Sequence, residues 1–202
     1  MTVEKLRGSL VYVLVVVVGV VAFGWPFLFD GSQEPATAHG SDAWLWTALL
    51  AGLVVFTLAL EIRRGVMTSA HVAVLGVLSA FIALLRLIDL PGGGNGLFFL
   101  VVLVAAAFGV RFGVLLALVA MAASAVVTAG IGPWLPYQML ALAALAALAG
   151  VAGLATQHMS TRAEVAVLAA VAWVCAFVYG GLMNLWSWPL IQDGGALSYD
   201  SA

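Results

Sequence analysis

Residues 112–130 read FGVLLALVAMAASAVVTAG, a run of 19 residues without a charged side chain. A helix needs about 20 mostly apolar residues to cross the roughly 30 Å hydrocarbon core of a bilayer. The rest of the chain has the same character, since 65% of its 202 residues are hydrophobic and 8% are charged. Soluble proteins carry about 25% charged residues. The sequence therefore predicts an all-α integral membrane protein.

Proline, glycine or charged residues divide the chain into seven candidate membrane-spanning helices. The first is expected to remain as an anchor, because its apolar run is longer than that of a cleavable signal peptide. The fourth is short and is joined to the fifth through Gly109 and Gly113, which predicts a short or partly re-entrant helix in a tight hairpin. The predicted spans are residues 10–29, 43–62, 69–88, 97–110, 112–130, 137–156 and 165–190.

The basic residues predict the orientation of the chain, because positive charge in short loops is retained on the cytoplasmic side. If the spans alternate, six of the seven basic residues fall on one side, and Arg86 alone lies near the other. The six are Lys5, Arg7, Arg63, Arg64, Arg111 and Arg162. We therefore expect a multi-pass protein with a cytoplasmic N-terminus and an external C-terminus.

The third span carries a narrow face of small residues at successive spacings of three, four and three. These residues are Ala73, Gly76, Ala80 and Ala83. Small side chains let two helix backbones approach closely in lipid, so this face predicts a helix-docking surface. Packing within the chain and docking on another protein explain the pattern equally well at this point.

The sixth span carries small residues on two faces. One face contains Ala143, Ala147 and Gly150, and the other contains Ala146, Gly150 and Gly153. Two such faces on one helix favour a member of the bundle that is surrounded by other helices of the same chain.

Arg86 and Asp89 form the only basic and acidic pair at the predicted outer edge of the membrane. A charge at membrane depth predicts a functional site, because its desolvation must be offset. The spacing of three residues also allows the two groups to neutralise each other on a helix end, and both interpretations remain open.

Further polar and aromatic residues are also predicted to lie near the outer edge of the membrane. Asn95 lies in the glycine-rich loop PGGGNG, and Gln138 follows the proline-containing segment IGPWLP. Apolar cavities with a few convergent polar groups are typical sites for small organic ligands. The aromatic residues are also explained as interfacial anchors, which is what we expect of Trp186. The candidate substrate-binding residues are Arg86, Asp89, Asn95, Trp134, Gln138, Asn184 and Trp186.

The sequence contains no motif that predicts catalysis. It has no P-loop, H-E-x-x-H or nucleophile elbow, and its histidines are scattered. We therefore predict neither an enzyme nor a metal site, and without clustered Lys and Arg we expect no nucleic-acid partner. Because no carboxylate lies in the middle of a span, ion coupling is poorly supported, and any energy source must come from a partner.

From Ala70 to Trp188 the chain resembles the substrate-binding S component of energy-coupling factor (ECF) vitamin transporters. The segment HVAVLGVLSAFIALLRLID is similar to the first helix of that family, with Gly76-x-x-x-Ala80 in place of its small-residue docking motif. The following segment resembles the next helices and contains the hairpin motif F-G-x-R-x-G at residues 108–113. The segment EVAVLAAVAWVCAFVYGGLMNLWSWP is similar to a late helix of actinobacterial members.

The resemblance implies a protein of the bacterial plasma membrane that captures a vitamin or related micronutrient, with cobalamin or a precursor as one candidate. It implies docking through Ala73, Gly76, Ala80 and Ala83 on a transmembrane coupling subunit driven by two cytoplasmic ATPases. The chain itself would bind no ATP and needs no cofactor. The implied organisation is a two-helix extension (1–67), an S-component-like core (68–190) and a polar tail (191–202).

The chain departs from a six-helix S component at both ends. Its first two spans are additional, and IQDGGALSYDSA is too short and polar to form the last family helix. Either the chain is truncated or its bundle is completed differently. The alternative function is a non-transporting membrane assembly or scaffold protein, which would also present small-residue faces.

Overall fold

The computed structural model describes residues 17–21, 23, 35–88 and 95–191, with side chains described for 17–21, 23, 44–88 and 95–187. The described residues form seven helices, which confirms the predicted all-α membrane bundle. Residues 17–21 belong to α1, and the others are α2 (Pro35–Arg63), α3 (Ser69–Leu85), α4 (Gly96–Phe108), α5 (Val110–Val127), α6 (Leu135–Thr156) and α7 (Thr161–Ile191).

Within the described ranges, four helical stretches are long and apolar enough to cross a membrane. They are Trp44–Arg63, Val110–Val127, Leu135–Thr156 and Thr161–Ser187. Helices α3 and α4 are apolar but shorter, with 17 and 13 residues. The second to seventh predicted spans therefore correspond to helices α2 to α7. The first, 10–29, lies largely outside the described residues.

Helix α4 forms the predicted tight hairpin with α5. At 1.5 Å per residue it is about 20 Å long, short of the roughly 30 Å needed to cross the hydrocarbon core. A single residue, Gly109, separates the two helices with φ 85° and ψ 172°. A positive φ favours glycine, because a side chain there would be strained. The rings of Phe108 and Phe112 stack across the turn at 4.8 Å.

Helices α4, α5 and α6 pack closely because glycine removes the side chain at each crossing. A methyl group at Gly113 of α5 would lie 2.5 Å from the Cβ of Ala105 in α4. A methyl group at Gly150 of α6 would lie 2.8 Å from the Cα of Val110. Gly153 of α6 packs in the same way against the backbone of Ala106. The predicted internal packing of the small residues of α6 is therefore confirmed.

The contacts between helices define two ends of the bundle. At one, the Arg86 end, the C-terminus of α3 meets the last turns of α5 and the first turn of α6 through Ser124 and Gln138. At the opposite end, the Gly109 end, the α4–α5 turn lies beside Gly150 of α6. The helix connections place Arg63, Arg64, Arg111 and Arg162 at this second end, where all four are exposed. One end of the bundle is thus basic, as the alternation of the spans predicts.

Candidate functional site

The candidate site is a polar cluster around Arg86 at the Arg86 end of the bundle. Arg86 directly follows α3 and is half-buried. Its Nη1 donates to Ser124 Oγ at 2.8 Å and contacts Met121 Sδ at 3.1 Å, while its Nη2 donates to Gln138 Oε1 at 3.3 Å. A single cation thereby joins helices α3, α5 and α6 at this end of the bundle.

Ser124 is fixed in position by its own helix. Its hydroxyl donates to the Met121 carbonyl oxygen at 2.8 Å, which leaves its oxygen free to accept from Arg86. The side chain is fully buried, and burying a hydroxyl costs free energy unless it is hydrogen-bonded. Ser124 is therefore a preorganised acceptor for the guanidinium.

One residue of α7, Tyr179, extends the cluster. Tyr179 of α7 lies within electrostatic range of Arg86. Its ring contacts Phe98 of α4 edge to face, with centroids 4.8 Å apart. The Arg86 cluster, defined as Arg86, Met121, Ser124, Gln138 and Tyr179, thus draws residues from four helices.

Neutral groups surround the Arg86 charge among the described residues. The carboxylates with described side chains are Glu61, in the last turn of α2, and Glu164, in the first turn of α7. Both lie at the Gly109 end of the bundle. Asp89, predicted to accompany Arg86, lies outside the described residues.

A second buried hydroxyl lies on the same side of α3 as Arg86. Ser79 is 3% exposed, and its Oγ has no hydrogen-bond partner among the described residues. Seven residues correspond to about two helical turns, so Ser79 lies about 10 Å from Arg86 along the axis of α3. The inner side of α3 therefore carries a polar group with an unused donor.

The predicted docking face on α3 is largely open. Ala73, Gly76 and Ala80 are exposed, and no atom of another residue lies within 4 Å of a methyl group placed on Gly76. Ala83, predicted to lie on the same face, is 1% exposed. It lies within about 20° of Gly76 around the helix, but it is covered near the end of α3, whose main neighbour is α5. The open face, defined as Ala73, Gly76 and Ala80, therefore excludes Ala83.

Two of the predicted ligand residues make hydrogen bonds to the backbone of their own local segment. The Asn95 side chain accepts from the Leu97 backbone N–H at 3.2 Å and caps the N-terminus of α4. The indole of Trp134 donates to the Gly130 carbonyl at 3.1 Å and covers Gly132. Neither residue is among the contacts of the Arg86 cluster. Their positions are explained by helix capping and loop closure.

The two predicted residues of α7 lie in different environments. Asn184 is exposed, whereas Trp186 is 9% exposed and packs on Tyr137 with ring centroids 5.7 Å apart. Tyr137 in turn contacts Phe23 edge to face. The expectation that Trp186 is an interfacial anchor is therefore wrong, because its ring is buried in an aromatic cluster.

An apolar cavity of about 250 Å³ lies apart from the Arg86 cluster. Its walls come from α1, α5, α6 and α7, where small residues of α6 leave the space. It is lined by Gly19, Val20, Phe23, Val110, Val114, Leu140, Ala143, Ala144, Ala147 and Leu182. The lining offers hydrocarbon surface without a charged or hydrogen-bonding side chain.

The sequence predicts only that Arg86 and Gln138 both lie near the outer edge of the membrane. The structure brings the two side chains into contact. The sequence prediction missed Met121, Ser124 and Tyr179. A serine within the alanine-rich run of residues 120–125 is the one available signal, because a polar residue in a spanning helix faces the bundle interior. Nothing in the local pattern distinguishes Met121 or Tyr179 from neighbouring apolar positions.

Comparison with known proteins adds no relative: no family model, curated protein or solved structure matches this chain. Function is therefore inferred from the residues and their contacts, together with the resemblance in sequence.

Proposed function

We propose that this chain is the substrate-binding membrane subunit of an ECF-type importer, which captures a vitamin or related micronutrient. The observation that supports this most strongly is the Arg86 cluster. Burying a charged residue in a membrane bundle is costly, so a half-buried arginine held by three helices supports a role in binding or transport. The cluster also has the composition of a small-molecule site, with a few polar groups converging within an apolar surround.

The open face of α3 supports the second half of the proposal, docking on a coupling subunit. Small residues allow close approach of a partner helix, and Ala73, Gly76 and Ala80 are accessible on the bundle surface. The coupling subunit and its two cytoplasmic ATPases are implied by the resemblance.

The charge distribution favours one orientation for such a subunit. In a bacterial plasma membrane the basic Gly109 end would face the cytoplasm, together with the N-terminus. The Arg86 end would then face outward, where an imported ligand arrives. The docking face would lie within the membrane along α3.

The experiment is co-expression of the chain with the coupling subunit and ATPases of its source genome, followed by native mass spectrometry and vesicle uptake. We expect a four-component complex, a retained vitamin such as cobalamin or a precursor, and uptake that requires ATP. A complex that retains no vitamin and takes up none of a panel including cobalamin, riboflavin and thiamine would instead support the scaffold function. Absence of a complex would contradict docking.

A further inference from the structure

The guanidinium of Arg86 has three described partners, none of which carries a charge. One of them, the thioether of Met121, is a weak acceptor. Another, the 3.3 Å contact to Gln138 Oε1, is longer than a typical N–H···O hydrogen bond. Only the 2.8 Å contact to Ser124 is short. Arginine presents five N–H donors, so this environment leaves donor capacity unused.

The groups around Arg86 add further donors rather than negative charge. Gln138 gives its oxygen to Arg86, so its amide N–H groups are available to another acceptor. Tyr179 of α7, which lies within electrostatic range of Arg86, carries a further hydroxyl. A cation with surplus donors and neutral acceptors, in a bundle of low polarity, is complementary to an anion.

We propose that the Arg86 cluster binds one anionic group of its ligand, a carboxylate or a phosphate, on the Nη atoms of Arg86. In that complex the anion replaces the weak contacts to Met121 and Gln138, and the freed Gln138 amide donates to it. The identity of this ligand as a transported substrate depends on the proposed function. The anion site itself belongs to this chain and is testable without any coupling subunit.

Two sources supply such a group at the end of a membrane bundle. A water-soluble acid would enter from the aqueous side, and an anionic lipid would bind through its headgroup phosphate. Both use the same donors, so the experiment requires separate arms for the two.

The first arm measures binding of matched acids and neutral analogues to the full-length protein in nanodiscs of neutral phosphatidylcholine. The probes are nicotinate with nicotinamide, pantothenate with pantothenol, and biotin with biotinamide, measured by calorimetry. We expect at least one acid to bind about tenfold or more tightly than its analogue. Arg86→Gln should abolish that difference. Arg162→Gln, which removes an exposed charge at the Gly109 end, should preserve it.

The second arm adds phosphatidylglycerol to the nanodiscs and counts retained lipid by native mass spectrometry. Loss of one phosphatidylglycerol in Arg86→Gln but not in Arg162→Gln supports the anion site. If none of the acids displaces this phosphatidylglycerol, the ligand of the site is a lipid. If an acid displaces it, the ligand is a soluble acid.

Three results would overturn the proposal. The first is equal binding of acids and analogues with no effect of Arg86→Gln. The second is the absence of any bound acid or anionic lipid. The third is anion binding by Asp89→Asn but not by the natural sequence, which would assign Asp89 as the counter-charge of Arg86. If any of these results is accompanied by import of a neutral vitamin, the anion site is contradicted but the proposed function is not. If the protein binds an anion but forms no complex with the coupling subunit and ATPases, the importer function is contradicted but the anion site is not.

Discussion

Helices α3 and α6 carry similar patterns of small residues, yet their environments are opposite. On α6, Gly150 and Gly153 are buried against the backbones of α4 and α5, and an added methyl group would overlap them. On α3, Gly76 is exposed, with nothing within 4 Å of such a methyl group. The α6 face holds this bundle together, whereas the open face of α3 is free for lipid or a partner.

The difference shows what a small-residue pattern specifies in a membrane. Association of helices in lipid depends on close packing rather than on the hydrophobic effect, so the pattern marks a surface that can be approached closely. It does not say which helix approaches. Two faces on α6 indicate a surrounded helix, while a single face on α3 is compatible with a partner from outside the chain.

The largest expected effect tests the buried small-residue face of α6. Gly153→Ala should lower the free energy of unfolding by about 1–3 kcal/mol, because the methyl group meets the Ala106 backbone and forces α4 away. Thermal unfolding in detergent measures this. Gly76→Ala is the matched control and should be as stable as the natural sequence, or more stable by up to about 1 kcal/mol, because alanine favours the helix. Equal losses in both variants would remove the distinction between the two faces.

The next prediction concerns the start of α4, the helix that contacts Gly153. Asn95→Ala removes the cap on the Leu97 N–H and should lower the free energy of unfolding by about 1 kcal/mol. Asn95→Asp keeps an accepting oxygen and should restore most of that stability. If Asn95→Ala weakens ligand binding without affecting unfolding, Asn95 is a ligand residue and its assignment as a cap is wrong.

Much of this architecture follows from the sequence. The apolar runs predict α2 to α7, and the short run before Gly109 predicts the hairpin. The Arg86 cluster is harder to predict from the sequence. Contacts such as Arg86 to Ser124 depend on how α5 is rotated about its axis, and the sequence of an alanine-rich helix gives little indication of that rotation. The sequence pattern places Ala83 and Trp186 on the surface, whereas both are buried, because local spacing does not reveal where a neighbouring helix comes close.

The smallest expected effect concerns the covered side of α3. Ser79→Ala removes a buried hydroxyl that has no described partner, so it should raise the free energy of unfolding of the ligand-free protein by up to about 1 kcal/mol. Unfolding of the two proteins in the same detergent provides the comparison. A loss of stability would show that Ser79 has a structural partner and would weaken the distinction between the covered and open sides of α3.

The most direct test of the central claim is co-purification of the coupling subunit and ATPases with a variant of the open face. Gly76→Leu/Ala80→Leu should fold normally but lose the complex, because leucine side chains prevent close approach of the partner helix. The matched control, Ala155→Leu/Gly181→Leu, alters two other exposed small residues, on α6 and α7, and should retain the complex. A complex that survives Gly76→Leu/Ala80→Leu unchanged would contradict the assignment of α3 as the docking helix.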